Sequence, residues 1–414
     1  MSRWVFPWER VAGLGRWLLV GLLFSCIFIP RVAIGSITGF YAVDLRTEDL
    51  LMGILGMITL GGVVSRKFSL EIPSVEKAFL GFLIAAQISI FNGLFFRTID
   101  KPFLSLLYLL KWVEYFLVFV VTVRLLSISE KSDFLLKAFF LLGMAVALYG
   151  YWEHFFPAAK AVYPNYYRLF ERAPFHGDAN HIGGLFVLWI GFFTGLFLKT
   201  KSQRQGILLL ASLVFVFFPF IWTYSRKSYF ALAGALFFAS LFPGARRKAL
   251  FLICLLLLLG LNLPTRLSER MSDLGEVFSS VDPFHSSWAT NWVMWNQAFW
   301  NFKQFFLFGS GLGSRHRLFY ESQYILVLTE TGLFGFLTYL VLAWAPTREI
   351  IGSLRQRLEM AQEGRALGWL LGFVGLLIHS FSCVSGTVSK IAIPFWFLTA
   401  FVLADLKKRA ATNS

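Results

Sequence analysis

Stretches of about 18 to 24 mostly apolar residues, separated by short polar loops, recur along the whole chain. A run of that length spans the hydrocarbon core of a bilayer as an α-helix, because only a helix satisfies its own backbone polar groups in lipid. About twelve runs meet this criterion, at roughly 16–37, 48–64, 77–96, 103–124, 134–156, 181–198, 206–222, 228–243, 249–263, 323–345, 366–384 and 391–405. Composition agrees: 57% of residues are hydrophobic and only 15% charged, too few to cover a soluble surface. The expected fold is an all-α polytopic membrane protein, a single membrane domain over residues 1–414. The N-terminal MSRWVFPWERVAGLGRWLLV is basic and then apolar, like a signal sequence. No small-residue cleavage site follows, so it reads as a retained first span.

The net charge of +15 raises nucleic acid as a partner. Its distribution argues against one, because the basic residues form small clusters between apolar runs and no basic, aromatic-interleaved soluble segment exists. Alternate loops carry Arg66 and Lys67, Lys131, Lys199, Lys201 and Arg204, Arg246 to Lys248, Arg348, Arg355 and Arg357, and Lys407 to Arg409. With Arg3, Arg10 and Arg16 these fall on one side of a twelve-span topology, which the positive-inside rule makes cytoplasmic. Both termini are then inside, and two long loops, 157–180 and 264–322, are outside, the larger between spans nine and ten.

Those outer loops keep cations against the topological bias: Lys160, Arg168 and Arg172 in the first, Arg266, Arg270, Lys303, Arg315 and Arg317 in the second. Arg226 and Lys227 sit in a short outer turn, WTYSRKSY. An anionic ligand at the outer face and interfacial snorkelling both account for such placement. Within the second loop Trp288, Trp292, Trp295, Phe299, Phe302 and Phe306 recur at spacings of four and three, one stripe on a helix. A helix lying in the membrane interface and a sugar-stacking platform are compatible readings of it.

The three cysteines, Cys26, Cys254 and Cys383, lie in apolar runs and read as buried thiols. His176, Asp178 and His181 form an H-x-D-x-x-H cluster that matches no zinc spacing, and Asp178 or Asn180 suits a helix cap. No metal or cofactor is expected. Lys111 and Glu114 lie one turn apart inside a span, either as a self-neutralising ion pair or as the charges of a proton relay. No G-x-S-x-G elbow, phosphate-binding P-loop or H-E-x-x-H motif occurs, which disfavours serine hydrolase, ATPase and zincin chemistry. What remains is a set of outer-face cations beside one acid, Glu321, just before a span. Guanidinium forks suit diphosphate oxygens, and a neighbouring carboxylate can take a proton from a hydroxyl nucleophile.

Several segments together resemble the O-antigen polymerase and ligase family. They are Gly177-Asp178-Ala179-Asn180, preceded by Arg172; Ser225-Arg226; a large late loop; Phe308-Gly309-Ser310-Gly311-Leu312-Gly313; and Glu321-Ser322-Gln323-Tyr324 with Glu330-Thr331-Gly332-Leu333-Phe334-Gly335. The match covers about residues 170–340. The resemblance implies a GT-C-like, metal-independent glycosyltransferase of the bacterial inner membrane, with its active site on the periplasmic face. Its substrates would be glycans on undecaprenyl diphosphate, and a chain-length regulator is a possible partner. Arg226 corresponds to the arginine of the family's Ser-Arg pair, with Glu321 as the carboxylate for the acceptor hydroxyl. Arg172, Lys227, Arg315, Arg317, His316 and His176 complete the expected substrate-binding set. Ligases of the family carry an arginine where Asn291 stands and a histidine where Tyr320 and Glu321 stand, which favours a polymerase of lipid-linked repeats. Ligation of finished polymer to lipid A-core is the alternative. A lipid-linked sugar transporter that moves the Lys111–Glu114 pair is the second.

Overall fold

The computed structural model describes residues 8–29, 32–38, 41–67, 74–128, 133–156, 169–170, 175, 179–242, 244–261, 287–314, 320–355 and 358–412. Thirteen helices are found among them: α1 (Trp8–Phe28), α2 (Thr47–Val64), α3 (Ser74–Phe95), α4 (Pro102–Ile128), α5 (Asp133–Phe155), α6 (Ala179–Lys199), α7 (Gln203–Trp222), α8 (Arg226–Ser240), α9 (Arg246–Leu261), α10 (Ser287–Gln304), α11 (Gln323–Leu354), α12 (Met360–His379) and α13 (Ser389–Thr412). Nine of them are long and apolar enough to cross a membrane. Of the twelve runs expected as spans, α8 and α9 are only 15 and 16 residues long. A third, α12, opens on the polar Gln362-Glu363-Gly364-Arg365.

The first apolar run, expected to continue as one span to about residue 37, is divided. Helix α1 stops at Phe28, and an antiparallel hairpin of β1 (Val32–Thr38) and β2 (Tyr41–Leu45) follows. Pro30 cannot continue a helical ladder, and Val32, Ile34, Ile37 and Thr38 favour extended backbone.

Polar contacts gather at the two ends of the bundle. At one end Arg124 meets Glu76, Lys199 meets Glu363, and Arg365 meets both Asp133 and Asp405. This is the end that carries the basic loops. At the other end the start of α8 meets the start of α11, and the α11 start meets the end of α12 through Gln323 N–H to Ser380 O at 2.9 Å.

The centre is built on α6, α12 and α13. The apolar windows of α6 and α13 are each 89% buried. Helices α6 and α12 make the closest approach, because Gly191 and Gly195 on one face Gly364, Gly368 and Gly372 on the other. A Cβ on Gly195 would lie 2.1 Å from the Gly368 backbone nitrogen. Lipid offers no hydrophobic drive between helices, so such small-residue faces associate by allowing close van der Waals contact.

Helix α11 carries the second constraint. It is interrupted at Gly332, where φ is 66° and ψ −171°. The amides of Leu333 and Phe334 leave the carbonyls one turn back and donate instead to Phe306 O (2.8 Å) and Leu307 O (3.1 Å). The carbonyls of Thr329 and Glu330 accept from Ser310 N (3.0 Å) and Gly311 N (2.9 Å). Residues 306–311 thus replace two helical bonds with four bonds to α11. Asn92 on α3 adds a bond to Gly309 O at 2.8 Å.

Gly332→Ala should therefore lower stability by about 2 kcal/mol or more. An alanine would sit in the left-handed region, and its Cβ would lie 2.4 Å from Gly309 N. Thermal unfolding of the purified protein in detergent measures this. Gly53→Ala, on an α2 face with nothing within 4 Å, should leave the midpoint unchanged or raise it.

Candidate active site

The interhelix ends away from the basic loops bring together residues far apart in sequence. Tyr224, at φ 49°, turns the chain out of α7, and Ser225 stands extended before α8. Arg226 and Lys227 then form the first turn of α8, both half-buried. Lys227 Nζ bonds Glu321 Oε2, so the structure joins two of the residues expected at the site. Tyr320, beside Glu321, is buried with its hydroxyl accepting from Asn301 of α10 at 3.3 Å, which leaves Glu321 as the acidic group at this mouth. Burial pushes the Tyr320 phenol up, the Asn301 bond offsets this, and Glu330 adds to the rise.

Behind Arg226 lies a buried hydroxyl–imidazole chain. Ser228 Oγ donates to Ser225 Oγ at 2.8 Å and lies 3.1 Å from His379 Nε2, while His379 Nδ1 lies 2.8 Å from Ser385 Oγ. His379 is completely buried at the end of α12. Cys26 and Cys383 are buried, as expected, whereas Cys254 on α9 is exposed rather than buried.

Inward from this mouth is a cavity of about 170 Å³, lined by the starts of α6, α11 and α13, the middle of α4 and the Gly-rich turn. Its polar wall holds Arg46, Lys111, His181, Lys390 and Glu330, and its aromatic wall Phe82, Tyr108, Trp112 and Tyr115. Arg46 pairs with Glu48 at 3.3 Å and donates to Ser389 Oγ at 3.1 Å. Lys111 pairs with Asp49 at 2.5 Å and with Glu114 at 2.7 Å, so the i,i+3 pair is present and has a third member. Lys390 donates to Phe175 O at 3.1 Å. Glu330 Oε1 accepts the Gly313 N–H at 3.1 Å.

Arg172, His176, Arg315, His316 and Arg317, expected to bind substrate, lie outside the described residues, as does Asp178. The aromatic stripe is helical from Trp288 to Phe302 in α10, and Phe306 lies just beyond it. Trp292, Phe299 and Trp300 are exposed. Among the described residues no group of three or more His, Cys, Asp or Glu side chains is placed to hold a metal. Sequence reasoning missed Arg46, Lys390 and His379. Each lies at the edge of an apolar run, and the available signal was the rarity of ionisable groups there.

Residues 210–340 match the Wzy_C family, described as O-antigen ligase. The segment contains Arg226, Lys227, Glu321 and the Gly-rich turn, and the match is consistent with the O-antigen polymerase/ligase family. That family implies a membrane glycosyltransferase-like enzyme. No curated protein matches the chain.

The hydroxyl–imidazole chain makes a specific demand. His379→Ala would leave the Ser228 and Ser385 hydroxyls buried without their partner, at a cost of about 1–3 kcal/mol. The thermal midpoint should fall, and His379→Gln, which can keep one of the two bonds, should recover part of the loss.

Proposed function

We propose that this chain is a polymerase of oligosaccharide repeats carried on undecaprenyl diphosphate, acting at the periplasmic face of a bacterial inner membrane. The observation that carries the reading is the pairing of Lys227 with Glu321 beside Arg226, inside the matched segment. Arg226 and Lys227 bring a guanidinium and an ammonium to this mouth, donors that suit diphosphate oxygens. The proposed orientation is supported by the basic loops at the opposite end of the bundle, since the positive-inside rule favours the cytoplasm for that end and with it both termini.

In the proposed reaction a hydroxyl oxygen of the acceptor sugar attacks the anomeric carbon of the donor glycan. The bond from that carbon to the diphosphate oxygen breaks, and its electron pair leaves with the lipid diphosphate. The hydroxyl proton passes to the Glu321 carboxylate. Arg226 and Lys227 stabilise the charge that develops on the leaving group, an electrostatic contribution largest where water is scarce. Arg172, His176, Arg315, His316 and Arg317 are assigned by position to the remaining diphosphate and glycan contacts. Membrane lipid surrounds the spans, and a chain-length regulator is the expected protein partner.

Purified protein in detergent, supplied only with a lipid-linked repeat, should build a ladder of longer glycans. Product formed only after lipid A-core is added assigns the ligase reaction instead. No product with either acceptor, combined with glycolipid movement across proteoliposomes, assigns a transporter and overturns the enzyme reading.

Arg226→Ala should reduce turnover by about a hundredfold or more while the protein remains folded. Glu321→Gln should slow the chemical step with little change in donor affinity. A wild-type rate in that variant removes Glu321 from proton transfer.

A further inference from the structure

At the mouth Lys227 pairs with Glu321 beside Arg226. Around the cavity the cations are already answered: Arg46 by Glu48, and Lys111 by Asp49 and Glu114. Among the described residues, Lys390 and Glu330 bring this set to three cations and four carboxylates. An anionic ligand placed here would meet no net attraction, and it would compete with carboxylates already bound to the cations. Hydroxyl groups carry no such penalty, since each can donate to a carboxylate and accept from an ammonium or guanidinium at once.

The remaining wall is aromatic. Tyr108, Trp112 and Phe82 give the cavity apolar surface alongside its charged groups, the combination that matches the mixed faces of a pyranose ring. Depth adds a further constraint. Lys111, in the tenth position of α4, pairs with Asp49 in the first turn of α2, and Tyr115, one turn further along α4, bonds Thr387 O just before α13. The middle of α4 is thus level with the starts of α2 and α13, while Leu326 to Thr331 lie about 4 to 12 Å along α11 from its start beside the mouth. The cavity therefore extends inward from the end that carries Arg226, along the part of α11 from Leu326 to Thr331.

We propose that this cavity is a sugar subsite, which takes one uncharged pyranose of the glycan while the diphosphate stays at the Arg226–Lys227 mouth. Glu330 and Lys111 bind ring hydroxyls, and the Tyr108–Trp112 wall packs against the carbon face. Glu330 is held for this by the Gly313 N–H and by the break in α11 two residues on. The proposal rests on the glycosyl-transfer reading for the identity of its ligand, but the measurement that tests it is binding rather than turnover.

Two probes separate the two places: the oligosaccharide cut by mild acid from the host's lipid-linked repeat, and inorganic diphosphate. Both are titrated calorimetrically into the full chain in detergent. Glu330→Gln keeps a carbonyl oxygen for the Gly313 N–H, and Val388→Phe fills the cavity from its rim. Each variant should weaken oligosaccharide binding by about tenfold or more and leave diphosphate binding unchanged. Arg226→Ala should do the reverse. Undiminished oligosaccharide binding in both cavity variants overturns the subsite, as does loss of diphosphate binding in either of them. So does a wild-type chain that makes glycan ladders without measurable oligosaccharide binding. Absence of ladders from a wild-type chain that does bind the oligosaccharide tells against the polymerase reading alone.

Discussion

The site depends on an exchange of backbone hydrogen bonds at Gly332. A helix interrupted within a membrane protein exposes amides and carbonyls that hydrocarbon cannot satisfy, and each unsatisfied group costs several kcal/mol. Here Thr329 O, Glu330 O, Leu333 N and Phe334 N are all met by residues 306 to 311. The exchange works only if the two strands of backbone come close, which explains the glycines at 309 and 332: a Cβ on either would collide with the other's chain. The motif is thus a clasp. It fixes Leu312 and Gly313 against α4 and α11, and Glu330 at the wall of the cavity.

The clasp also accounts for how a loop can carry chemistry at a defined place. Residues 305–314 follow α10, and their carbonyls are tied to α3 as well as to α11 through Asn92 and Thr98. Helix α8 is anchored differently. Its start is bonded through Ser225, Ser228 and His379 to the loop after α12, and α12 is itself locked to α6 by glycine contacts. Arg226 therefore stands on the most tightly packed part of the bundle. Catalytic groups held by rigid elements lose less entropy on binding than groups on free loops.

Much of the bundle was legible because membrane burial writes itself in long apolar runs and the basic residues mark one side. The break after Phe28 was harder to place. The run to about residue 37 is apolar throughout, and periodicity cannot separate helix from strand in a short apolar stretch. The pairing of Lys227 with Glu321 could be anticipated only as a coincidence of motifs, since nothing in the spacing of 94 residues states a contact. Arg46 and Lys390 were invisible for the same reason. Each looks like an ordinary flanking cation until the fold brings residues 46 and 389 within hydrogen-bond distance. Lys111 and Glu114 were legible as a pair because a helix fixes their spacing, whereas Asp49 joined them only through tertiary packing.

Charge distribution then separates two tasks that the sequence presented as one. Read along the chain, every outer-face cation was a candidate for the diphosphate. In the fold Arg226 and Lys227 stand at the mouth, whereas the cavity holds a second set, Arg46, Lys111 and Lys390, of which Arg46 and Lys111 are already paired with carboxylates. Such a division is useful for a transferase. A leaving group needs excess positive charge as its negative charge develops, whereas a sugar that must move on after each transfer needs directional hydrogen bonds without a strong net field. On the proposed reading, a mouth where α8 meets α11 and a cavity further along α11, with the clasp between α11 and the Gly-rich turn, would let one rigid frame hold the sugar in register with the diphosphate.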